Sequence, residues 1–258
     1  MLTLKQIEQI YPENLQPFKK NLLREYLQYK ILEIIFNSEF ANKLAFLGGT
    51  ALRIIYGNNR FSEDLDFDNF DLTEEDFTQL TNMVKDGLEQ QGFEVQANNV
   101  FKGVFRCRIK LPKILFDNEL SPMANEKLMI QIDTAPHNFP FSIEKKILNK
   151  FDVFTSVLTV PLDILLSQKI YAALSRKRAK GRDFYDIIFL LSLTKPNYKY
   201  LKEKIAISDP VALKNKLLQA LSLFDFKALA KDVEPFLFTP SDSKKVGLFP
   251  EFIKQVKL

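Results

Sequence analysis

The residues best suited to chemistry lie in the stretch AFLGGTALRIIYGNNRFSEDLDFD, which runs from Ala45 to Asp68. Asp64, Asp66 and Asp68 alternate with apolar residues, which predicts a strand with one polar and one buried face. Carboxylates on one face repel one another unless a cation lies between them, and oxygen ligands suit Mg²⁺. Asp133 ends the apolar run LMIQID and is the best candidate for a third ligand, which would allow two ions to bind side by side.

A calcium-binding loop is the main alternative for the same acids. Asp64, Asp66, Asp68 and Glu75 match positions 1, 3, 5 and 12 of an EF-hand loop. Position 6 is Asn69 instead of the glycine that the turn requires, and the apolar alternation favours a strand. We therefore favour magnesium ligands on a strand.

A Gly-Gly turn at residues 48–49 precedes the acids and ends the apolar run KLAFL. A turn that leads into a helix exposes backbone N–H groups to a phosphate, and the Thr50 hydroxyl could add a contact. The acidic strand begins about fifteen positions later, a distance that fits one short helix and a return strand. Arg60 and Ser62 are further candidate phosphate contacts, although Arg60 could instead pair with Glu63 or Asp64.

Hydrophobic spacing predicts a mixed α/β half followed by an all-α half, with domains at residues 1–160 and 161–258. The predicted helices of the first half cover 14–36, 50–57 and 72–92, and its predicted strands cover 43–49, 63–70, 93–100, 104–112 and 126–136. The predicted helices of the second half cover 162–176, 182–193, 209–224 and 226–237.

Composition is that of a globular protein, with 46% hydrophobic and 26% charged residues among 258. The single cysteine, Cys107, excludes a disulfide framework, and the single histidine, His137, makes a zinc site unexpected. No apolar run approaches the ~20 residues that span a bilayer. We therefore expect a cytoplasmic protein without a membrane partner.

Charge differs between the two halves. Residues 1–160 contain 18 Lys and Arg against 22 Asp and Glu, whereas residues 161–258 contain 18 against 10. An acidic half suits cations and a basic half suits an anion. The segment QKIYAALSRKRAKGRDFYDI is especially basic, although it could be only a solvated turn in which Arg182 pairs with Asp186 on one helix face.

The stretches LLREYLQYKILEIIF and LAFLGGTALRIIYGNNRFSEDLDFD resemble the bacterial AbiEii/AbiGii toxin family of nucleotidyltransferases, part of the DNA polymerase β-like superfamily. The superfamily signature is a Gly-Gly or Gly-Ser turn, a helix, Asp-x-Asp on a strand and a third acid on a later strand. Gly48, Gly49, Asp64, Asp66 and Asp133 match that order, and the form RFSEDLD is particular to this branch. The resemblance extends over roughly residues 14–193.

The resemblance implies an α+β fold: a polymerase β-like nucleotidyltransferase core with a mixed sheet, followed by an all-α C-terminal helical domain. It implies that Asp64, Asp66 and Asp133 hold two Mg²⁺ ions and that Lys169 contacts the nucleoside triphosphate. Arg182 and Asp183 would complete the nucleotide pocket. Together the implied catalytic residues are Asp64, Asp66, Asp133 and Lys169, and the nucleotide-binding residues are Gly48, Gly49, Thr50, Arg60, Ser62, Arg182 and Asp183.

The function implied by the resemblance is transfer of a nucleoside monophosphate from a triphosphate to RNA, such as the 3′ end of tRNA. The resemblance also implies a cognate antitoxin as partner. Nucleotidylation of a protein target is an alternative, because the basic half could equally recruit an acidic protein. A catalytically inactive nucleotide- or RNA-binding module is a second alternative. The trio Asp64, Asp66 and Asp133 argues against it, because a protein that only binds has little need of a two-metal site.

Overall fold

The computed structural model describes all 258 residues, which form two compact units. The first unit contains residues 1–57 and 61–160, and the second contains residues 58–60 and 161–258. The chain therefore enters the second unit twice, once through a three-residue loop and once through its C-terminal part.

The first unit is built on a seven-stranded sheet. Its strands are β1 Leu44–Leu47, β2 Leu65–Asn69, β3 Gln96–Lys102, β4 Val104–Leu111, β5 Leu128–Ala135, β6 Glu144–Lys150 and β7 Val153–Thr159. Their spatial order is β3-β4-β5-β2-β1-β7-β6. Because β2 pairs in parallel with β5 and β1 with β7 while the other neighbours are antiparallel, the sheet is mixed.

Five α-helices accompany this sheet. They are α1 Leu4–Gln9, α2 Lys19–Phe36, α3 Gly48–Ile54, α4 Glu74–Gln90 and α5 Ile114–Asp117. Thr73 begins α4 with a capping box, because its hydroxyl accepts from the Asp76 N–H while the Asp76 side chain accepts from the Thr73 N–H.

One face of the sheet packs against α2 and α4. The alternation of β2, β4 and β5 sends Phe67, Ile109 and Ile132 into this layer, where each is buried. Phe36 of α2 lies against Phe67, and Phe77 of α4 lies against Phe105. The opposite face of the same three strands is polar and only partly buried.

A buried ionic cluster fixes α3, the helix that follows the Gly-Gly turn. Glu25 of α2 accepts hydrogen bonds from Arg53 of α3 at 2.9 Å and from Lys150 of β6 at 2.8 Å. Burial opposes ionisation of Glu25, but the two cations outweigh that effect and lower its pKa. The helix is therefore tied to both α2 and the sheet edge.

The second unit is helical. Its helices are α6 Leu162–Ser175, α7 Gly181–Leu191, α8 Tyr198–Ile205, α9 Pro210–Ala220, α10 Phe226–Val233, α11 Lys244–Gly247 and α12 Phe249–Gln255. Phe184 of α7 lies at its centre and makes edge-to-face ring contacts with Phe224, Phe226 and Phe249. No helix in either unit combines the length and apolar character needed to cross a membrane.

The α+β prediction is confirmed by this architecture. The predicted helix at 14–36 begins instead as a 3₁₀ helix, Glu13–Phe18, and becomes α-helical at Lys19. Pro17 lies inside the 3₁₀ segment and lacks the N–H of an α-helical hydrogen bond. Strands β6 and β7 were not predicted.

Close packing at Gly181 leads to a first prediction. A Cβ at this position would collide with the backbone carbonyl of Leu229 in α10, which cannot move like a side chain. We expect Gly181→Ala to lower the free energy of unfolding by about 1–3 kcal/mol. Gly247→Ala is the matched control, because nothing lies near its added methyl and it should stabilise the helix by up to ~1 kcal/mol. Equal effects of both substitutions in urea unfolding would contradict the packing argument.

Candidate active site on the sheet

The Gly-Gly turn lies directly against an acidic side chain. Gly48 has φ +80°, a conformation that favours glycine, and a Cβ there would collide with the carboxylate of Asp66. Leu47, the preceding residue, is the register partner of Asp66 across β1 and β2. The glycine is therefore required both by its backbone angle and by the close approach of the carboxylate.

A row of charged residues crosses three strands beside this turn. Asp66 of β2 is in register with Asp133 of β5, and Asp133 is in register with Arg106 of β4. Register partners point to the same face with Cβ atoms about 4.5–5.5 Å apart. The sheet therefore brings together Asp66 and Asp133 on one face.

Asp133 is held by two neighbours on that face. Arg106 donates from Nε to Oδ1 at 2.8 Å and from Nη2 to Oδ2 at 2.9 Å, and Gln131 donates to Oδ2 at 3.1 Å. The hydrogen bonds to Asp133 raise the pKa of Arg106, and the charges of Asp133, Asp64 and Asp66 add to the effect. Arg106 thus neutralises part of the acidic cluster.

Asp64 lies just before β2 and is positioned through its backbone. The Thr50 hydroxyl donates to the Asp64 carbonyl, which ties α3 to the start of the acidic strand. The buried Gln28 of α2 donates from Nε2 to the carbonyls of Ser62 and Glu63, each at 3.0 Å. These contacts fix the segment that leads into the acids, and they place Ser62 beside it.

Asp68, the third acid of the motif, is buried under the loop that follows β5. Its Oδ1 accepts from the His137 N–H at 2.9 Å, and the His137 Nδ1 lies 3.3 Å from the same oxygen. Asp68 therefore anchors this loop. The calcium-loop alternative is wrong, because Asp66 and Asp68 lie on β2, paired with β1 and β5, and Glu75 lies in α4, so the acids do not form an EF-hand loop.

The donor set on this face has the chemistry of a divalent-cation site. Asp64, Asp66 and Asp133 carry carboxylate oxygens, the hard donors that suit a divalent cation. Gly48 leaves open, beside the Asp66 carboxylate, the space that a Cβ would fill. The side chains do not converge as they stand, since no three His, Cys, Asp or Glu residues form a group close enough to hold a metal. Asp133 is directed to Arg106 in this arrangement.

A second charged cluster lies inside the helical unit. Asp186 of α7 is fully buried and accepts from Arg60 Nε at 2.7 Å, from Arg60 Nη2 at 2.6 Å and from Asn58 Nδ2 at 2.8 Å. The Nζ of Lys169 in α6 lies 2.9 Å from the Oδ2 of Asp186. Burial alone would raise the pKa of Asp186, but Arg60 and Lys169 outweigh burial and hold it at about 2.

The remaining predicted residues of the helical unit lie around this cluster. Asp183 is buried and pairs with Lys169 at 3.4 Å and with Arg176. Arg182 stacks on Phe236, with its guanidinium carbon 4.3 Å from the ring centre. Lys169 and Arg60 thus have carboxylate partners within the unit, and Arg182 has an aromatic one; their nucleotide-binding roles stay predictions.

Sequence reasoning missed three residues that position the site on the sheet, namely Gln28, Arg106 and Gln131. Alternation in the run VFRCRIKL placed Arg106 on the polar face of its strand, but nothing local indicates that it faces Asp133. That information requires the register of β4 with β5. Gln28 was hidden because it lies in a helix with several other polar residues, and nothing in its spacing distinguishes it from them.

A sequence model of the AbiEii nucleotidyl transferase toxin family, Type IV toxin–antitoxin system, matches residues 30–237. The chain belongs to the AbiEii family. Its matched region contains the Gly-Gly turn, the three acids of the sheet face and the buried cluster around Asp186. Comparison with curated proteins gives no match.

Two solved structures share the fold of this AbiEii protein. One is JHP933 from Helicobacter pylori, at 18% identity and a TM-score of 0.55, over 90% of this chain and 91% of that chain. The other is a Helicobacter pylori protein described as a proposed nucleotidyltransferase, at 18% identity and a TM-score of 0.54, over 90% of this chain and 94% of that chain. At this identity the similarity establishes the fold.

Contact between Gly48 and Asp66 leads to a prediction with an internal control. Gly48 and Gly57 both have positive φ, so alanine at either position carries the same left-handed cost of about 1–2 kcal/mol. Only the methyl of Gly48→Ala meets the Asp66 carboxylate, whereas that of Gly57→Ala meets nothing. We expect Gly48→Ala to lower the free energy of unfolding by at least ~1 kcal/mol more than Gly57→Ala. Indistinguishable urea midpoints would show that the turn tolerates a side chain.

The buried cluster leads to a third prediction. Asp186→Asn leaves Arg60 and Lys169 buried without this countercharge and should destabilise the protein by about 3–5 kcal/mol at neutral pH. Asp186 has a pKa below its unfolded value, so its stabilisation is complete above about pH 4 and is lost as the pH falls through about 2. The difference between variant and wild type should therefore shrink on acidification.

The matched control for this prediction is Asp242→Asn, which removes a carboxylate that pairs with Lys245 nearer the surface of the same unit. It should change stability by less than about 1 kcal/mol. An Asp186→Asn protein as stable as this control, by urea unfolding at neutral pH, would show that the cluster is not needed for folding.

Proposed function

We propose that this AbiEii protein is a magnesium-dependent nucleotidyltransferase that transfers a nucleoside monophosphate from a nucleoside triphosphate to an RNA acceptor, such as the 3′ end of tRNA. The proposal rests on family membership and on one observation in the sheet unit. The Gly-Gly turn lies against Asp66, and Asp66 lies in register with Asp133. The turn that we assign to phosphate binding and two acids thus lie side by side.

Each residue of this face has a distinct task. Backbone N–H groups of the turn at 48–50 bind phosphate oxygens, because without Cβ atoms at positions 48 and 49 a phosphate approaches the backbone closely. Asp64, Asp66 and Asp133 would hold the magnesium ions, which would supply positive charge at the reacting phosphate. Gln28 and Thr50 keep the backbone before Asp64 in place.

The reaction is an in-line displacement at the α-phosphorus. The acceptor hydroxyl loses its proton, its oxygen forms a bond to the α-phosphorus, and the bond from that phosphorus to the pyrophosphate oxygen breaks. Three acids on one face make the site strongly negative, and they repel the negative charge of the triphosphate. The triphosphate can therefore bind only if that charge is neutralised. We assign that task on the protein side to Lys169, on the basis of the family resemblance.

RNA is the acceptor that the family resemblance implies, and the charge of the helical unit agrees with it. Residues 161–258 carry 18 Lys and Arg against 10 Asp and Glu, and the turn between α6 and α7 exposes Arg176, Lys177, Arg178 and Lys180. A cluster of exposed cations suits a polyanion whose affinity falls with salt. The family description names a Type IV toxin–antitoxin system, from which we propose a cognate antitoxin as partner.

The decisive experiment is incubation of the purified protein with Mg²⁺, each labelled nucleoside triphosphate in turn, and total cellular RNA or protein. We expect label to enter RNA, and we expect Asp64→Asn to reduce the rate by at least about a hundredfold. Asp71→Asn is the matched control, because it removes the same charge from an exposed position just after β2.

Label in protein instead of RNA would replace the acceptor that we propose while keeping the reaction. Label in neither pool, with nucleotide binding still detectable, would favour an inactive binding module. Equal transfer by Asp64→Asn and wild type would show that the acidic face is not the active site.

A further inference from the structure

Arg106 lies at one end of a row of charged residues that crosses the sheet. It stands in register with Asp133, which stands in register with Asp66, so one guanidinium and two carboxylates form a row across β4, β5 and β2. Its side chain is 33% exposed and that of Asp133 is 21% exposed. The pair is therefore partly shielded from solvent, where an ion pair is stronger than at a fully exposed surface.

The hydrogen bonds of Asp133 determine what it can still bind. An ionised carboxylate offers about four lone pairs, two on each oxygen. Oδ2 accepts from both Arg106 and Gln131, and Oδ1 accepts from Arg106 alone. One lone pair of Oδ1 is thus left for a metal ion, and Asp133 can act only as a monodentate ligand while this pairing lasts.

Electrostatics extend the influence of Arg106 beyond its partner. Asp66 lies in register with Asp133, so a second carboxylate of the face stands one strand beyond the partner of Arg106. Both are among the three acids that we assign to magnesium. A guanidinium in the same row of side chains repels a divalent ion that binds to them.

We propose that Arg106 is a resident counter-ion of the acidic face, which stabilises the metal-free protein and with which a divalent cation must compete. The inference rests on the proposed function, because it concerns the same three acids. It assigns Arg106 a positioning role: it orients Asp133 and limits that residue to one metal-facing oxygen.

This arrangement has a consequence for metal choice. Ca²⁺ commonly takes carboxylates in bidentate fashion, whereas Mg²⁺ accepts monodentate oxygens in an octahedral shell. The two parallel hydrogen bonds from Arg106, which we call the fork, occupy one edge of the Asp133 carboxylate. They therefore disfavour Ca²⁺ more than Mg²⁺. They also keep apparent metal affinity low until a nucleotide brings further oxygen ligands.

Isothermal titration calorimetry of the full-length protein with Mg²⁺ and with Ca²⁺, in the absence of nucleotide, tests the proposal without any activity assay. Arg106→Gln removes the charge and the fork, and it should bind Mg²⁺ about tenfold more tightly than wild type. The gain for Ca²⁺ should be larger than the gain for Mg²⁺ because both oxygens of Asp133 become accessible.

Arg108→Gln is the matched control. Arg108 lies two residues further along the same face of β4, and its register partner is Gln131 and not an acid. The substitution therefore removes the same charge from a position that has no acidic partner across the strands. Its metal affinity should stay within about twofold of wild type. Arg106→Lys keeps the charge and loses the fork, so it should fall between wild type and Arg106→Gln, and it serves if Arg106→Gln does not fold.

The proposal is overturned if Arg106→Gln binds the metal no more tightly than wild type does. If Arg106→Gln is unfolded, the proposal is overturned by wild-type metal affinity in Arg106→Lys. An equal gain in Arg108→Gln overturns it too, because general charge would then be the cause. Failure of the proposed function would give a different result from failure of this inference. In that case wild type, Arg106→Gln, Arg106→Lys and Asp64→Asn would all show no metal binding.

Discussion

The mutual repulsion of the acids on the sheet is the constraint around which the first unit is organised. Carboxylates on adjacent inner strands cost free energy unless positive charge or hydrogen-bond donors balance them. The unit supplies both, since Arg106 and Gln131 hold Asp133. The glycine turn then approaches Asp66 where any side chain would collide. The result is a polar face with few alternative arrangements.

Apolar packing on the opposite face of the same strands offsets the free-energy cost of the acids. Because side chains alternate along a strand, every acid on β2 has an apolar neighbour that faces α2 and α4. Phe67 lies between Asp66 and Asp68 and contacts Phe36 and Phe46 in the buried layer. Fixing the strand through its apolar face also fixes the register that aligns Asp66 with Asp133.

Local patterns in the sequence predicted the parts of the structure that depend on near neighbours. The alternation at 64–68 and the glycine turn each involve residues within a few positions of one another. The pairing of Arg106 with Asp133 depends on strand register, and that of Arg60 with Asp186 joins residues 126 positions apart. Strand β6 escaped prediction because it is a largely exposed edge strand with weak apolar alternation. Strand β7 escaped prediction although its buried residues alternate.

The loop Asn58–Arg60 ties the order of synthesis to the order of folding. It belongs to the helical unit, where Arg60 is buried against Asp186 and its backbone bridges Leu237. During translation this loop leaves the ribosome more than a hundred residues before either partner. A nascent or truncated chain that stops before α7 lacks Asp186, the carboxylate that pairs with the buried Arg60. Arg60 lies only four residues before Asp64. The segment leading into the acidic strand thus completes its native contacts only after almost the whole polypeptide has been made.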